Sequence, residues 1–201
     1  YLLFSEETLL YTMGKEILFI SSMYESTNTS LDLIQEQMKR LSTECNETCH
    51  LGILTGNEIM YLLKISTTNP IQLISSVGKR LPAYATALGK ALLLDKSINE
   101  LEELFPTPFK AFTAQTIKSP IDLYNDIHNN NSFTYENEEI TNHACCIALP
   151  IREDGKIVAA LSVSFLTFTT SSEKVLKIKK ELLKSASIIE RIIKNKGCLL
   201  Y

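Results

Sequence analysis

The side chains that could do chemistry are few. The chain has three histidines, His50, His128 and His143, and five cysteines. The nearest approach to a metal-ligand pattern is Cys45, Cys49 and His50, which would bridge the end of a helix and the start of a strand. Closed structural zinc sites use about four ligands, one more than this cluster supplies. Cys45 also completes an apolar helical series with Leu31, Ile34, Met38 and Leu41, so a core position accounts for it. The vicinal pair Cys145-Cys146 is the next candidate. A reactive thiolate needs positive charge beside it, and His143 is the one weak source nearby in sequence. Neighbouring residues on a strand point to opposite faces, so the two sulfurs are expected to diverge. Zinc-protease, phosphate-loop, dinucleotide-binding and nucleophile-elbow motifs are absent. The reading is a binding protein with no metal, no cofactor and no catalytic residue, not an enzyme.

A stronger signal lies in two predicted strands, 144–151 and 156–166, joined by the turn Arg152-Glu153-Asp154-Gly155. Period-two alternation sorts their side chains into two surfaces. One holds Cys145, Ile147, Leu149 and Ile151 with Ile157, Leu161, Val163 and Phe165, and builds a core. The other holds Ala144, Cys146 and Ala148 with Ala160, Ser162 and Ser164. Solvent faces of strands are richer in Lys, Glu, Thr and Arg than this, so the small residues read as a covered, roomy floor with hydroxyls and a thiol, as small-molecule cavities require. A second piece is the helix start Ala85-Thr86-Ala87-Leu88-Gly89-Lys90. Backbone N–H groups gather at such a terminus and suit a carboxylate.

The elements that must position these residues follow from periodicity. Leu9, Leu10, Met13, Ile17 and Ile20 outline a first helix running to about residue 24, and Thr29 with Asp32 opens a second. Strands are predicted over 50–55 and 59–66 around the turn Gly56-Asn57, and over 71–77. Helices follow over 85–94, 99–105 and from Ser119-Pro120, and a long amphipathic helix closes the chain at Gly197. Hairpins interrupted by helices, without βαβ alternation, predict an α+β fold with an antiparallel sheet.

Composition agrees with one domain plus a short appendage. Of 201 residues, 45% are hydrophobic and 21% charged, and the net charge of −3 lacks the basic excess of a nucleic-acid reader. The lysines of 174–196 share a helix with a regular apolar stripe and read as its solvated face. An odd cysteine count without regular spacing, and no apolar run long enough to span a bilayer, predict a cytoplasmic protein with no membrane partner. Starting at Tyr1 without an initiator Met suggests that an upstream segment was removed.

The stretch LPAYATALGKALL at 81–93 resembles the signature of the IclR family of transcription regulators, in which a Gly, a Leu-Pro pair and an Ala-x-Gly-Lys helix start follow in order. Gly78, Leu81-Pro82 and Gly89-Lys90 occupy those places, and the resemblance extends through 139–150, ALSVS at 160–164 and NETCHLGIL at 46–54. It implies a GAF-like effector domain over 28–201, preceded over 1–27 by the end of a wing and a linker helix from about Ser5. The N-terminal winged helix-turn-helix would lie outside this chain. It also implies a pocket with Leu73 as a wall, Ala87 and Leu88 at the helix start, Glu136 and Ala144 at the rim, and Cys146, Ser162 and Ser164 on the floor; Thr86 and Gly89 join this candidate site from the helix-start reading above.

Two departures stand out. His143-Ala144-Cys145 replaces the usual Gly, apolar residue and Arg, and Tyr84 replaces the usual His of the helix motif. The function implied is sensing of a small carboxylate or sugar acid that alters operator binding, the DNA being held through the missing domain by a homodimer or homotetramer. The alternatives are a cysteine-dependent enzyme on the same scaffold, such as a methionine sulfoxide reductase using Cys146, or an interaction domain without a ligand.

Overall fold

The computed structural model describes residues 1–27, 29–67, 75–129 and 133–196, with only the backbone over 24–27 and at 29. It opens with a two-stranded antiparallel hairpin, β1 (Leu2–Ser5) and β2 (Leu10–Met13), in which Leu2 pairs with Met13 and the Gly14 N–H donates to the Tyr1 carbonyl at 2.7 Å. Helix α1 (Glu16–Thr27) follows. The expectation of a helix already at Leu9, or from about Ser5, is therefore corrected. Leu9 itself has a positive φ of 55°. A short apolar run satisfies helix and strand spacing equally, and Gly14 stands where the hairpin ends and the helix begins.

Helix α2 (Thr29–Cys45) carries Ile34, Met38, Leu41 and Cys45 buried on one face, as its spacing requires. Strands β3 (Thr48–Thr55) and β4 (Glu58–Ile65) form the expected hairpin, with Gly56 at φ 62° in the turn. After the short β5 (Arg80–Pro82) and a 3-10 turn at Ala83–Ala85 come α3 (Ala87–Leu92), α4 (Ile98–Leu104) and α5 (Pro120–His128). Serine side chains cap the last two: Ser97 in a capping box with Glu100, and Ser119 accepting from the Asp122 N–H. Strands β6 (Thr134–Asn137), β7 (Ala144–Glu153) and β8 (Lys156–Leu166) precede the long α6 (Ser172–Lys196). Most of the strand expected over 71–77, and the helix stop at Gly197, lie outside the described residues.

The main sheet is antiparallel in the order β5-β4-β3-β8-β7-β6, so the fold is α+β. Helices α2 and α6 cover one face. Ile34, Met38, Ile178, Leu182 and Ile189 pack there on Leu51, Ile147, Leu149, Leu161 and Val163. Helices α3, α4 and α5 cover the opposite face, over Ile59, Ala148 and Ala160. A register shift between Ile151 and Arg152 flips the end of the β7–β8 pair. Ile157, expected beside Leu161, therefore packs on the α3 side, and Ala159 takes the core face.

The lysines of α6 stay outside this core, apart from Lys174, which pairs with the buried Glu47. Apolar surface is concentrated instead in the N-terminal segment, where Leu2, Leu3, Leu10, Met13, Leu18 and Phe19 are all exposed.

Candidate functional site

Small residues on β7 and β8 divide into two groups with different coverings. Ala148 and Ala160 lie under α3, whose short side chains let it approach the sheet closely. Gly89 lets the helix pack on the backbone of the preceding 3-10 turn, where a Cβ would stand 2.1 Å from the Ala83 carbonyl oxygen. Beside the helix, over Ala144, Cys146, Ser162 and Ser164, the sheet floors a cavity of about 380 Å³. Thr86, Ala87 and Leu88 wall it on the helix side, and Glu136 at the β6 edge.

Eight of the residues expected at the site thus line one space. Gly89 does not. Its N–H donates to the Thr86 Oγ1 at 3.0 Å as part of the helix cap, so its amide is committed within the turn. Leu73 lies outside the described residues.

The cavity also takes in His143, whose stretch the resemblance sets at the pocket entrance, and His50, Tyr61, Ser75, Leu81, Leu166, Phe168 and Ile140 to Asn142, none of which was anticipated. His50 was accessible in principle, since it alternates with the core residues Cys49 and Leu51 and must face the other way. Its partner was not. β3 pairs with β8 across more than a hundred residues of chain, setting His50 opposite Ser162 and Thr48 opposite Ser164.

A run of polar side chains crosses this floor. Glu136 pairs in register with Cys146, whose Sγ is 2.9 Å from the Ser164 Oγ. Ser164 lies 3.5 Å from His50 Nδ1, and His50 Nε2 lies 2.8 Å from the Ser75 Oγ. One oxygen of Glu136, Oε1, accepts the N–H groups of Glu139 at 2.6 Å and Ile140 at 3.2 Å.

Burial sets the charge states. It raises the Glu136 carboxyl to about 7 against the pull of those two N–H groups, and Glu139 nearby adds to the rise. It lowers His50 to about 3, helped by the charge of Lys64, so the imidazole is neutral. It holds Cys146 well above an ordinary thiol, reinforced by Glu136. A thiol so held is a poor nucleophile near neutrality.

The neighbours of the cavity are fixed. Lys90, 1% exposed, points away from it and pairs with Glu139 at 2.5 Å and Asp126 at 2.8 Å. The hydroxyls of Thr113 and Thr116 donate to the carbonyls of Glu138 and Glu139, both at 2.6 Å. His143, in the place where the resemblance implies glycine, has φ 66°, a left-handed conformation that glycine adopts freely. Its N–H donates to Glu138 Oε2 at 3.0 Å. Cys145 turns to the core face, where its thiol donates to Asn137 Oδ1, so the sulfurs of Cys145 and Cys146 do diverge. Tyr84 packs with Phe105 and Phe109 and donates to the Lys110 carbonyl at 2.9 Å, away from the cavity. Cys45 and Cys49 lie on the core face and His50 on the other. Among the described residues no group of His, Cys, Asp and Glu could hold a metal ion, and no helix is long and apolar enough to cross a membrane.

Comparison with known proteins places this geometry. The family described as Bacterial transcriptional regulator IclR C-terminal matches residues 26–191. The regulator KdgR of Dickeya chrysanthemi is 34% identical over 151 residues, 72% of this chain and 50% of that protein. The chain spans about half the length of that relative. The crystal structure of the C-terminal domain of Escherichia coli KdgR superposes with a TM-score of 0.73 at 30% identity, over 82% of this chain and 98% of that one. An IclR homolog from Microbacterium hydrocarbonoxydans, solved in complex with 4-hydroxybenzoate, has the same fold, with a TM-score of 0.77 at 23% identity over 96% of this chain and 79% of that one. The chain belongs to the IclR C-terminal family of bacterial transcriptional regulators.

Proposed function

We propose that the cavity beside α3 binds a small organic acid, and that its occupancy alters operator binding by a DNA-reading segment outside this chain. The observation that carries this reading is the floor itself: four small side chains, Ala144, Cys146, Ser162 and Ser164, kept clear of the helix that covers their neighbours. At about 380 Å³ the space is near the lower end of small-molecule sites, which run from roughly 300 to 1,000 Å³. A small acid fits such a volume, in keeping with the 4-hydroxybenzoate held by the Microbacterium homolog. In this reading residues 1–27 form the end of a wing and a linker, and 28–201 the sensing domain, acting in the cytoplasm. The exposed apolar side chains of the hairpin and α1 support self-association as a homodimer or homotetramer. An effect on DNA requires the acid to favour one conformation of the regulator over another.

The test is a thermal-shift screen of lactate, pyruvate, gluconate and 4-hydroxybenzoate against the wild type, Ser162→Ala and Ser164→Ala. A hydrogen bond to a charged group is worth about 1.5–3 kcal/mol, so Ser162→Ala should weaken the best acid about tenfold or more while the protein stays folded. Equal shifts in all three proteins would remove the floor from the site, and no shift with any acid would defeat the acid-sensing reading.

A further inference from the structure

An acid entering this cavity meets no lysine or arginine among the described lining residues. Residues 68–74, TNPIQLI, and 130–132, NNS, contain no charged side chain either. Among the described lining residues the carboxyl that faces the space is that of Glu136, only 4% exposed. Its compensation comes from hydrogen bonds alone, from two backbone N–H groups and the Cys146 thiol of β7, while Tyr61 of β4 lies near it and the neutral His50 of β3 lines the same cavity. In the loop after β6 stand Glu138, Glu139 and, at the mouth, His143, 70% exposed on its side chain. Lys90 of α3 is shared between Glu139 and Asp126 of α5. Lys64 turns to the Ser75 carbonyl at 2.7 Å behind His50. Two carboxylates in one dry space repel, and the strain is relieved when one proton serves both.

Resting on the acid-site reading, we propose that the bound acid shares one proton with Glu136, so that its charge is met by that proton and not by a cation. With Oε1 engaged by the two backbone N–H groups, the other oxygen carries the proton and donates it to the ligand carboxylate, which stays anionic. The atoms balance simply: a ligand carboxylate and a protonated Glu136 form one O–H···O⁻ bond. Where Glu136 has already lost its proton, binding takes one up from water. The free carboxyl titrates at about 7, so uptake begins around neutrality. The ligand class follows as acids that bring a single negative charge into the cavity. An acid with two ionised carboxylates would need a second proton.

Isothermal titration of whichever of lactate, pyruvate, gluconate and 4-hydroxybenzoate leads the screen, in buffers of different ionisation heat, decides the point. Wild-type affinity should fall about tenfold between about pH 6 and about pH 8, with nearly one proton taken up per ligand at the higher pH. Glu136→Gln, whose amide donates at every pH, should lose the dependence and bind more tightly than wild type at about pH 8. Binding without proton uptake, or a Glu136→Gln variant that keeps the wild-type pH profile, overturns the proposal while the acid site stands. If no acid binds at either pH, the acid-site reading fails and this proposal with it. Should Glu136→Gln not fold, proton uptake by the wild type alone decides.

Discussion

The two faces of the main sheet are built from the same strands and behave as different materials. Toward α2 and α6, Ile147, Leu149, Leu161 and Val163 interdigitate with long aliphatic side chains, and the buried polar pair Gln37 and Ser185 joins the two helices. Toward α3, one residue along each strand, Ala148, Ser162, Cys146 and Ser164 leave a helix close on one side and open space on the other. On this second face the polar side chains Glu136, Cys146 and His50, with titrations shifted by burial, border the open space. Dense aliphatic packing thus lies on one side of the strands and an open cavity with a polar floor on the other. A single-residue step along the chain crosses between them.

Substitutions can break or sharpen that contrast. The largest effect is expected for Lys90→Ala, because on the α3 side a buried cation ties α3 to α5 and to the loop after β6, in addition to the apolar packing of Leu101, Phe105 and Leu123. Removing one partner of a buried pair costs about 3–5 kcal/mol, and urea unfolding should show it. Adding Glu139→Gln should restore part of the loss by removing the stranded carboxylate; a double variant no better than the single would mean that packing, not charge, fixes α3.

Next is the adjacent pair on β8. Leu161→Ala should cost about 2–5 kcal/mol through the cavity left in the core, whereas Ser162→Ala should change stability by less than about 1 kcal/mol by removing one oxygen from a face that is already open. Comparable losses for the two would erase the distinction between the faces.

The smallest effect concerns pH. The His50 titration, lowered by burial to about 3, makes the unfolded chain bind more protons below the ordinary imidazole value. It contributes stability that is present above about 6.5 and is lost as pH falls. Glu136, raised to about 7, acts in the opposite sense: its contribution is present below the ordinary carboxyl value and is lost as pH rises toward 7. Between about 4.5 and 6.5 the two slopes oppose each other. His50→Asn should leave the Glu136 slope uncovered, so that thermal stability declines as pH rises through this window more steeply than in wild type. Parallel profiles for the two proteins would show that His50 is not held neutral by the fold.

Local patterns were the legible part. Alternation on β7 and β8 named both faces of most of the hairpin, and the cap at Ser119-Pro120 opened a helix where the chain does. What escaped depended on distance or on competing local options. His50 reaches the floor only because β3 lies beside β8, a neighbour chosen by the whole topology. The 9–13 run obeyed helix spacing yet folds as a hairpin edge, since pairing with residues 2–5 outweighs periodicity in so short a segment. Gly89 was read as opening the helix start to an anion, and it serves instead the contact with the Ala83 backbone. Composition cannot separate those two uses of a glycine.

One feature of the strand order bears on how the protein behaves in a crowded cell. Among the described residues the main sheet ends in its two shortest strands, three-residue β5 and four-residue β6. β5 closes on Pro82, which has no N–H to offer, and beyond it the Lys79 carbonyl and the Gly78 N–H engage the backbone of Tyr61. A long, straight, unpaired edge is a template on which other chains add strands and grow fibrils. Here the template is truncated at both ends, so copies of this domain have little backbone ladder to extend. Encounters between them are left to side chains, which can be reversible and selective where an open ladder is neither.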